Sequence, residues 1–435
     1  MHVYNNCYDF NYNSSYSESF KSQNNQNNSI NMPTLLQFNT VANVASTGRL
    51  AEDLGEVVIQ HGWDSYIAYG REGRQSSSNL VKIGTKKDVY LHLLKARLFD
   101  RQGFGSAGAT KKLLKQIDEI RPDVIQFHNL HGYYLNLPIL FNYIADKDIP
   151  VVWSLHDCWS MTGHCGHFAL VGCDKWKTQC YNCPIIHSYP VSWFVDNSRR
   201  NYTEKKRLEN AIPRMSIVSG SQWLADIAKQ SFNKNREVHV IPDGINTDIF
   251  TPKEDGGELR RKYGLEGKFV IMASGTSWSS FKGLEDFKKL RKVLPEDFAM
   301  IFVGMSDSDR ESLLPGMIGI PRTKTPNELA SFYSMADCIM SLSKLESFGL
   351  TPVEGFACGT PAIVNDCTAL PELITPENGF VVRASDICDI KDKVIELKKK
   401  GKASYTNDCR RIALEKYDRK VCYKKYLDIY ESMIK

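Results

Sequence analysis

No stretch of this 435-residue sequence approaches the roughly 20 consecutive apolar residues that span a bilayer. Nor do its first residues place a basic segment ahead of an apolar one, so neither a spanning helix nor a secretory leader is expected, and a cytoplasmic location is. Blocks of like charge are also missing. The 55 Lys and Arg against 50 Asp and Glu leave a formal net charge of +5, spread along the chain. That balance lacks the polyelectrolyte footprint of a nucleic-acid binder, so no nucleic-acid partner is expected. It still leaves room for a local basic patch facing a phosphate or an anionic membrane surface. The 12 cysteines are neither dense nor regular enough for a small disulfide scaffold, and most stand singly in apolar segments, where a thiol packs as a small hydrophobe.

What is present is apolar patterning on a scale larger than one core. With 42% hydrophobic residues and a length beyond the roughly 250–300 residues at which single cores stop growing, two domains are expected. Residues 1–31 are rich in Asn, Ser and Tyr without apolar periodicity, and are expected to be a disordered extension. Across 32–241, short apolar runs such as "DVIQFHNL", "VVWSLHD" and "MSIVSGS" end in polar residues and alternate with helix-like segments. A Pro/Gly/Asp-rich linker follows at 242–257, and a second series ("FVIMASGTSW", "FAMIFVGMS", "CIMSLSKLE", "PAIVND") fills 258–415. The fold class expected is α/β, with two doubly wound Rossmann-like domains facing a central cleft. Aromatic and aliphatic residues at helical spacing over 416–435 predict a terminal helix packed on the domains.

The stretch "LSKLESFGLTPVEGFACGTPAIV" (342–364) sets two carboxylates eight positions apart around a glycine-bearing turn. Glu346 is expected on the loop leaving a buried strand and Glu354 within the helix that follows. Between them Gly349, Leu350 and Thr351 can present backbone N–H groups at a helix N-terminus, which favours an anion. Two acids flanking an anion site suit a ligand with hydroxyls at both ends and phosphates between. Lys282, at a strand-to-helix junction, can reach a phosphate oxygen as a point charge. In the first half, Ser46, Thr47 and Gly48 form a small-residue loop ahead of a helix and could face the same diphosphate.

These segments resemble the family 4 glycosyltransferases, which are retaining and nucleotide-sugar-dependent and have the two-domain GT-B architecture. The residues that carry the resemblance are "ESFGLTPVEGFACGTPAI" (Glu346 to Ile363), "VIPDGINTDIFTP" (Val240 to Pro252), Lys282–Gly283, "ELASFYSMADCIMSLSKLES" and "ASTGRLAEDLG" (Ala45 to Gly55). The resemblance implies that Glu346 contacts donor-sugar hydroxyls, that Glu354 contacts the ribose, and that Phe348, Gly349, Leu350 and Thr351 complete the donor site. Lys282 would neutralise the diphosphate. The loop "GTSWSSFKG" lacks the arginine the family usually supplies, which leaves Lys282 alone or helped from elsewhere, for example by Arg322. His156 maps onto a histidine near the reacting centre, while His128, Asn129 and His131 are expected on the acceptor side. No cofactor is required on this reading, because a lysine and helix N-termini can carry the leaving-group charge. The partners implied are a nucleotide-diphosphate sugar and a glycan or lipid-linked oligosaccharide, in bacterial capsular or exopolysaccharide biosynthesis, with peripheral contact at the inner membrane face. A non-hydrolysing sugar-nucleotide epimerase would share the architecture but not the Glu-x(7)-Glu context. A zinc-dependent binding protein would explain only the cysteines.

Those cysteines lie in an insertion near 158–190. Cys165, Cys173, Cys180 and Cys183 are spaced C-x(7)-C-x(6)-C-x(2)-C, of which only the last pair has a common zinc spacing. His164 and His167 add further candidate ligands, and a structural zinc is expected here, with disulfides or free packing thiols as the alternatives.

Overall fold

A computed structural model of the chain describes residues 32–435 apart from 276, 277 and 279. The extension 1–31, with its expected disorder, lies outside the described residues, as does that part of the lysine loop. The first sheet comprises β1 (Thr34–Asn39), β2 (Asp64–Tyr69), β3 (Asn79–Lys82), β4 (Val124–Phe127), β5 (Val151–Leu155), β6 (Met215–Ser219) and β7 (Val238–Val240), in the order β3-β2-β1-β4-β5-β6-β7. The second comprises β8 (Phe269–Ser274), β9 (Phe298–Val303), β10 (Met317–Ile320), β11 (Cys338–Ser341), β12 (Ala362–Asn365) and β13 (Gly379–Val382), in the order β10-β9-β8-β11-β12-β13. Every pairing in both sheets is parallel. Central strands such as β1, β4, β5, β9 and β11 are buried at every position, which explains why they read as continuous apolar runs rather than alternating ones.

Strand order reverses beside β1 in the first sheet and beside β8 in the second, and such switch points open a crevice at the C-terminal ends of the strands. The chain passes between the domains twice, and the two crossings pair. Ile245 N donates to Tyr417 O at 2.8 Å, and Arg419 N to Ile245 O at 2.9 Å. The terminal helix Arg419–Ile434 then returns to the first domain. Tyr426 OH meets Ser154 Oγ at 2.8 Å, Tyr430 OH donates to Gln126 Oε1 at 2.8 Å, and Arg419 pairs with Asp53 and Glu56 of the helix Ala45–Gln60. Among the described residues no helix is long and apolar enough to cross a membrane.

One buried side chain gives the fold a pH signature. His92 Nε2 accepts the N–H groups of Gly103 and Gly105 at 3.2 and 3.1 Å, and its Nδ1 faces Ser106 Oγ at 3.0 Å. Burial holds the imidazole at about 4, well below its ordinary value. The unfolded chain therefore takes up a proton near pH 6.5 that the folded chain refuses until about pH 4, and stability falls across that window as pH falls. On the order of 3 kcal/mol is at stake. Denaturation midpoints measured from pH 7 to 4.5 should decline, with a shallower slope in His92→Gln. An identical slope in that variant would assign the effect to other groups.

Candidate functional site

The crevice between the two sets of strand ends holds a cavity of about 650 Å³, within the range of ligand pockets. Lys282 reaches it because Gly283 turns the chain at φ +81°, where a Cβ would lie 2.4 Å from Leu342 O. Its Nζ donates to Glu346 Oε1 at 2.6 Å. Glu346 itself is fixed through its backbone. Its N–H donates to Thr368 Oγ1 at 2.9 Å, and that hydroxyl donates back to Glu346 O at 2.8 Å.

Gly349, at φ +113°, starts the helix Leu350–Ala357 and brings that N-terminus to the cavity wall. Glu354 lies one turn in, and only 4% of its surface is exposed. Burial raises its carboxyl above the ordinary range, while Arg49 and the Tyr333 hydroxyl pull it back. Tyr333 OH donates to Oε2 at 2.8 Å, and Arg49 Nη2 reaches Oε1 at 3.3 Å from the opposite domain. Ser274 Oγ, at the end of β8, meets both Tyr333 OH at 2.8 Å and Thr351 Oγ1 at 3.2 Å, which ties the helix start to the sheet. Phe348 borders the cavity with its ring largely buried against Tyr417, at a centroid distance of 6.0 Å.

On the facing wall, Ser46, Thr47 and His156 line the cavity. Ser46, Thr47 and Gly48 lie in the first turn of the helix Ala45–Gln60 rather than in the loop expected ahead of it. Gly48 sits behind the other two, where a Cβ would press on Val41 and the Asn43 backbone. Its role is close packing of loop on helix. His128, expected on the acceptor side, is buried beneath His156. Its Nε2 donates to Gln37 Oε1 at 3.0 Å, so its Nδ1 accepts from His156 Nε2 at 3.0 Å. Burial first, and the neighbouring imidazole second, hold His128 neutral by pushing it well below its ordinary value. This relay leaves His156 Nδ1 turned toward Asp243 at 4.0 Å. Asn129 and His131 also stand off the cavity wall. The Asn129 carbonyl accepts the Tyr134 hydroxyl at 2.8 Å, and His131 bridges Asp157 Oδ2 at 2.8 Å and Tyr189 OH at 2.9 Å. Burial opposes ionisation of Asp157, yet His131 and the Trp159 N–H hold its carboxyl at about 2.

Arg322 and Lys324 are exposed on the rim beyond β10, so with Arg49 on the facing wall cations approach the cavity from both domains. Sequence reasoning missed Arg49 as the partner of Glu354, and missed Tyr333 and Asp243 altogether. The first two partnerships with Glu354 span 305 and 21 residues, and no local pattern signals them. The four cysteines line a separate, smaller cavity in the insertion. Chemically, the main cavity can seat an anion between Lys282 and the helix N-terminus, with a hydroxyl-accepting carboxylate on either side.

Comparison with known proteins agrees with this geometry. Residues 257–416 match the family model described as "Glycosyl transferases group 1", and residues 47–249 match "Glycosyltransferase Family 4". The putative colanic acid biosynthesis glycosyl transferase WcaC of Escherichia coli K12 is 23% identical, over 82% of this chain and 89% of its own. An uncharacterized 41.2 kDa protein in the cps region of Klebsiella pneumoniae is 31% identical, over 80% of this chain and 89% of its own. Among solved structures, Anabaena Alr3699/HepE in complex with UDP and glucose superposes with a TM-score of 0.66 at 15% identity, over 92% of this chain and 99% of that one.

Proposed function

The chain belongs to the family 4 glycosyltransferases of GT-B fold, and we propose that it moves a sugar, with retention of configuration, from a nucleoside-diphosphate sugar to a glycan or lipid-linked oligosaccharide. The observation that carries this reading is the Lys282 ammonium, held 2.6 Å from Glu346 beside a helix N-terminus. In the proposed complex the donor diphosphate draws Lys282 away from Glu346 and takes the N–H groups of Gly349, Leu350 and Thr351. The freed Glu346 carboxylate accepts sugar hydroxyls, and Glu354 accepts those of the ribose. Arg322 assists at the phosphate end, and His156, oriented by His128, borders the anomeric carbon. The bond from that carbon to the diphosphate breaks as the acceptor oxygen forms its bond on the same face, and the acceptor proton passes to the departing phosphate oxygen. The protein contributes position and charge rather than a strong base.

The names of two relatives, one in colanic acid biosynthesis and one in a cps region, support a role in surface-polysaccharide assembly, and the UDP and glucose bound to the Anabaena protein support the donor class. Purified protein should be offered a panel of nucleotide sugars with and without lipid-linked acceptor. Acceptor-dependent release of nucleoside diphosphate, with an α-linked product from an α-linked donor by NMR, is expected. Isomerised donor would mean an epimerase, and an inverted linkage would remove the retaining mechanism.

A lipid-linked acceptor would require the protein to rest on a membrane surface. The helix Lys86–Phe99 exposes Tyr90 and Leu91 beside Lys86, Lys87 and Lys95, and the loop carrying Trp193 and Phe194 joins it through Trp193 N to Arg97 O at 2.7 Å. Exposed aromatics among lysines suit an anionic bilayer interface. Tyr90→Asp with Phe194→Asp should weaken cosedimentation with anionic vesicles by about tenfold or more, while activity on a water-soluble acceptor is unchanged. Wild-type protein that fails to sediment with such vesicles would end this reading.

A further inference from the structure

The insertion between β5 and the helix Ser198–Ala211 has almost no regular backbone pairing, only three short 3-10 turns at Trp159–Met161, Phe168–Val171 and Lys175–Lys177. Something other than a hydrogen-bond ladder must hold it. Cys165, Cys173, Cys180 and Cys183 all line one cavity of about 20 Å³, room for a single atom or water-sized guest. None is in a disulfide. Cys165 stands near Cys183, and Cys180 near both Cys173 and Cys183.

Burial pushes the Cys180 thiol above its ordinary value, and the neighbouring Cys165 together with burial does the same to Cys183, so these sulfurs stand as thiols until a cation takes their protons' place. Gly163 N donates to Cys180 Sγ at 3.3 Å. The buried Lys205 ammonium, close to Cys180, is tethered to Trp159 O at 2.6 Å and Thr162 O at 3.1 Å. An independent observation points to a cation. His164, 2% exposed, lines the same cavity; its Nδ1 is bound to Asp100 Oδ1 at 2.5 Å, yet its buried Nε2 has no partner. With Nδ1–H donating to Asp100, the neutral ring presents a lone pair at Nε2. A cavity lined by four thiols and an unmatched lone pair is short of an electrophile.

We propose that this cavity binds one zinc ion through Cys165, Cys173, Cys180 and Cys183, each thiol releasing its proton to solvent as it ligates. Among the described residues no three such side chains yet stand together as a metal-holding group, so ligation turns the thiols inward about their Cα–Cβ bonds. Zinc suits four sulfur ligands in tetrahedral array and no open position. Lys205 and the Gly163 N–H offset part of the excess negative charge of the four thiolates, and His164, positioned by Asp100, turns its Nε2 lone pair toward the cation from outside the four ligands. The metal is structural. Its reach extends to the cleft, because His167, two residues from Cys165, packs on Phe281 next to Lys282 with ring centroids 5.8 Å apart.

The test uses the full chain purified under reducing conditions. Elemental analysis should find about one zinc per chain, and cobalt exchanged for it should show intense thiolate-to-cobalt charge transfer with tetrahedral d–d bands. Cys180→Ser should lose the metal and lower Tm by about 5 °C or more, whereas His164→Gln should keep both the metal and the charge-transfer intensity. Should Cys180→Ser not fold, the cobalt spectrum of the wild type decides. Active protein holding less than about a tenth of an equivalent of transition metal overturns the proposal. So does titration of only 8 of the 12 thiols in denaturant with chelator, which would place these four in disulfides.

Discussion

Lys282→Ala is expected to lower kcat by about 10²–10³ with the fold intact. The side chain is partly exposed, and its hydrogen-bond partner is Glu346, so truncation leaves no buried group stranded. What disappears is the positive charge facing the oxygen on which charge develops as the diphosphate departs. A bound donor excludes water from the cavity, and in that setting one charge is worth far more than at an open surface. Lys282→Arg should recover part of the rate, because it restores charge with a planar fork in place of a point donor. The neighbouring Glu346→Gln should also lower kcat, by losing the charged acceptor for the sugar hydroxyls while keeping shape. Steady-state kinetics with saturating acceptor provide the readout, with a melting curve for each variant. A kcat within about threefold of wild type in a folded Lys282→Ala protein would transfer the role to Arg322 or Arg49.

The parts of this site that were legible in the sequence are those written in one short stretch. Glu346, Gly349 and Glu354 lie on a single strand–loop–helix unit, where spacing alone decides which carboxylate hangs on the loop and which sits in the helix. Lys282 was legible for the same reason, since Gly283 marks the turn that presents it. Groups brought in by tertiary contact were not. Arg49 and Tyr333 meet Glu354 only because two domains and a neighbouring helix converge on it, and nothing in their local sequence differs from an ordinary helix. His128 shows the converse error. A histidine at a strand end reads as a cavity residue, but its ring is drawn under His156 by Gln37 on β1. The terminal helix was visible from its aromatic spacing, whereas its docking on the first domain depends on Ser154 and Gln126, polar residues buried on β5 and β4 with a tyrosine hydroxyl as each one's partner. Buried polar groups of this kind are unreadable until their partners are known.

Glu354→Gln is expected to act on binding rather than on turnover. Its two oxygens are engaged by Tyr333 and Arg49, and burial pushes the carboxyl upward while those two donors pull it back. Glutamine keeps the volume and one acceptor oxygen but turns an N–H₂ group toward a donor, most severely where Arg49 approaches. A ribose bound there exchanges a charged hydrogen bond for a neutral one, a difference on the order of 1–1.5 kcal/mol. Donor KM should therefore rise about 5- to 12-fold, while kcat stays within about twofold, since the ribose is remote from the breaking bond. The nucleoside diphosphate product carries the same ribose but not the transferred sugar, which separates this acid from Glu346. Inhibition by free nucleoside diphosphate should weaken in Glu354→Gln by the same factor as donor KM, and should be nearly unaffected in Glu346→Gln. Unchanged product inhibition in folded Glu354→Gln would remove this carboxylate from the nucleotide and leave it as a strut between Tyr333 and the first domain.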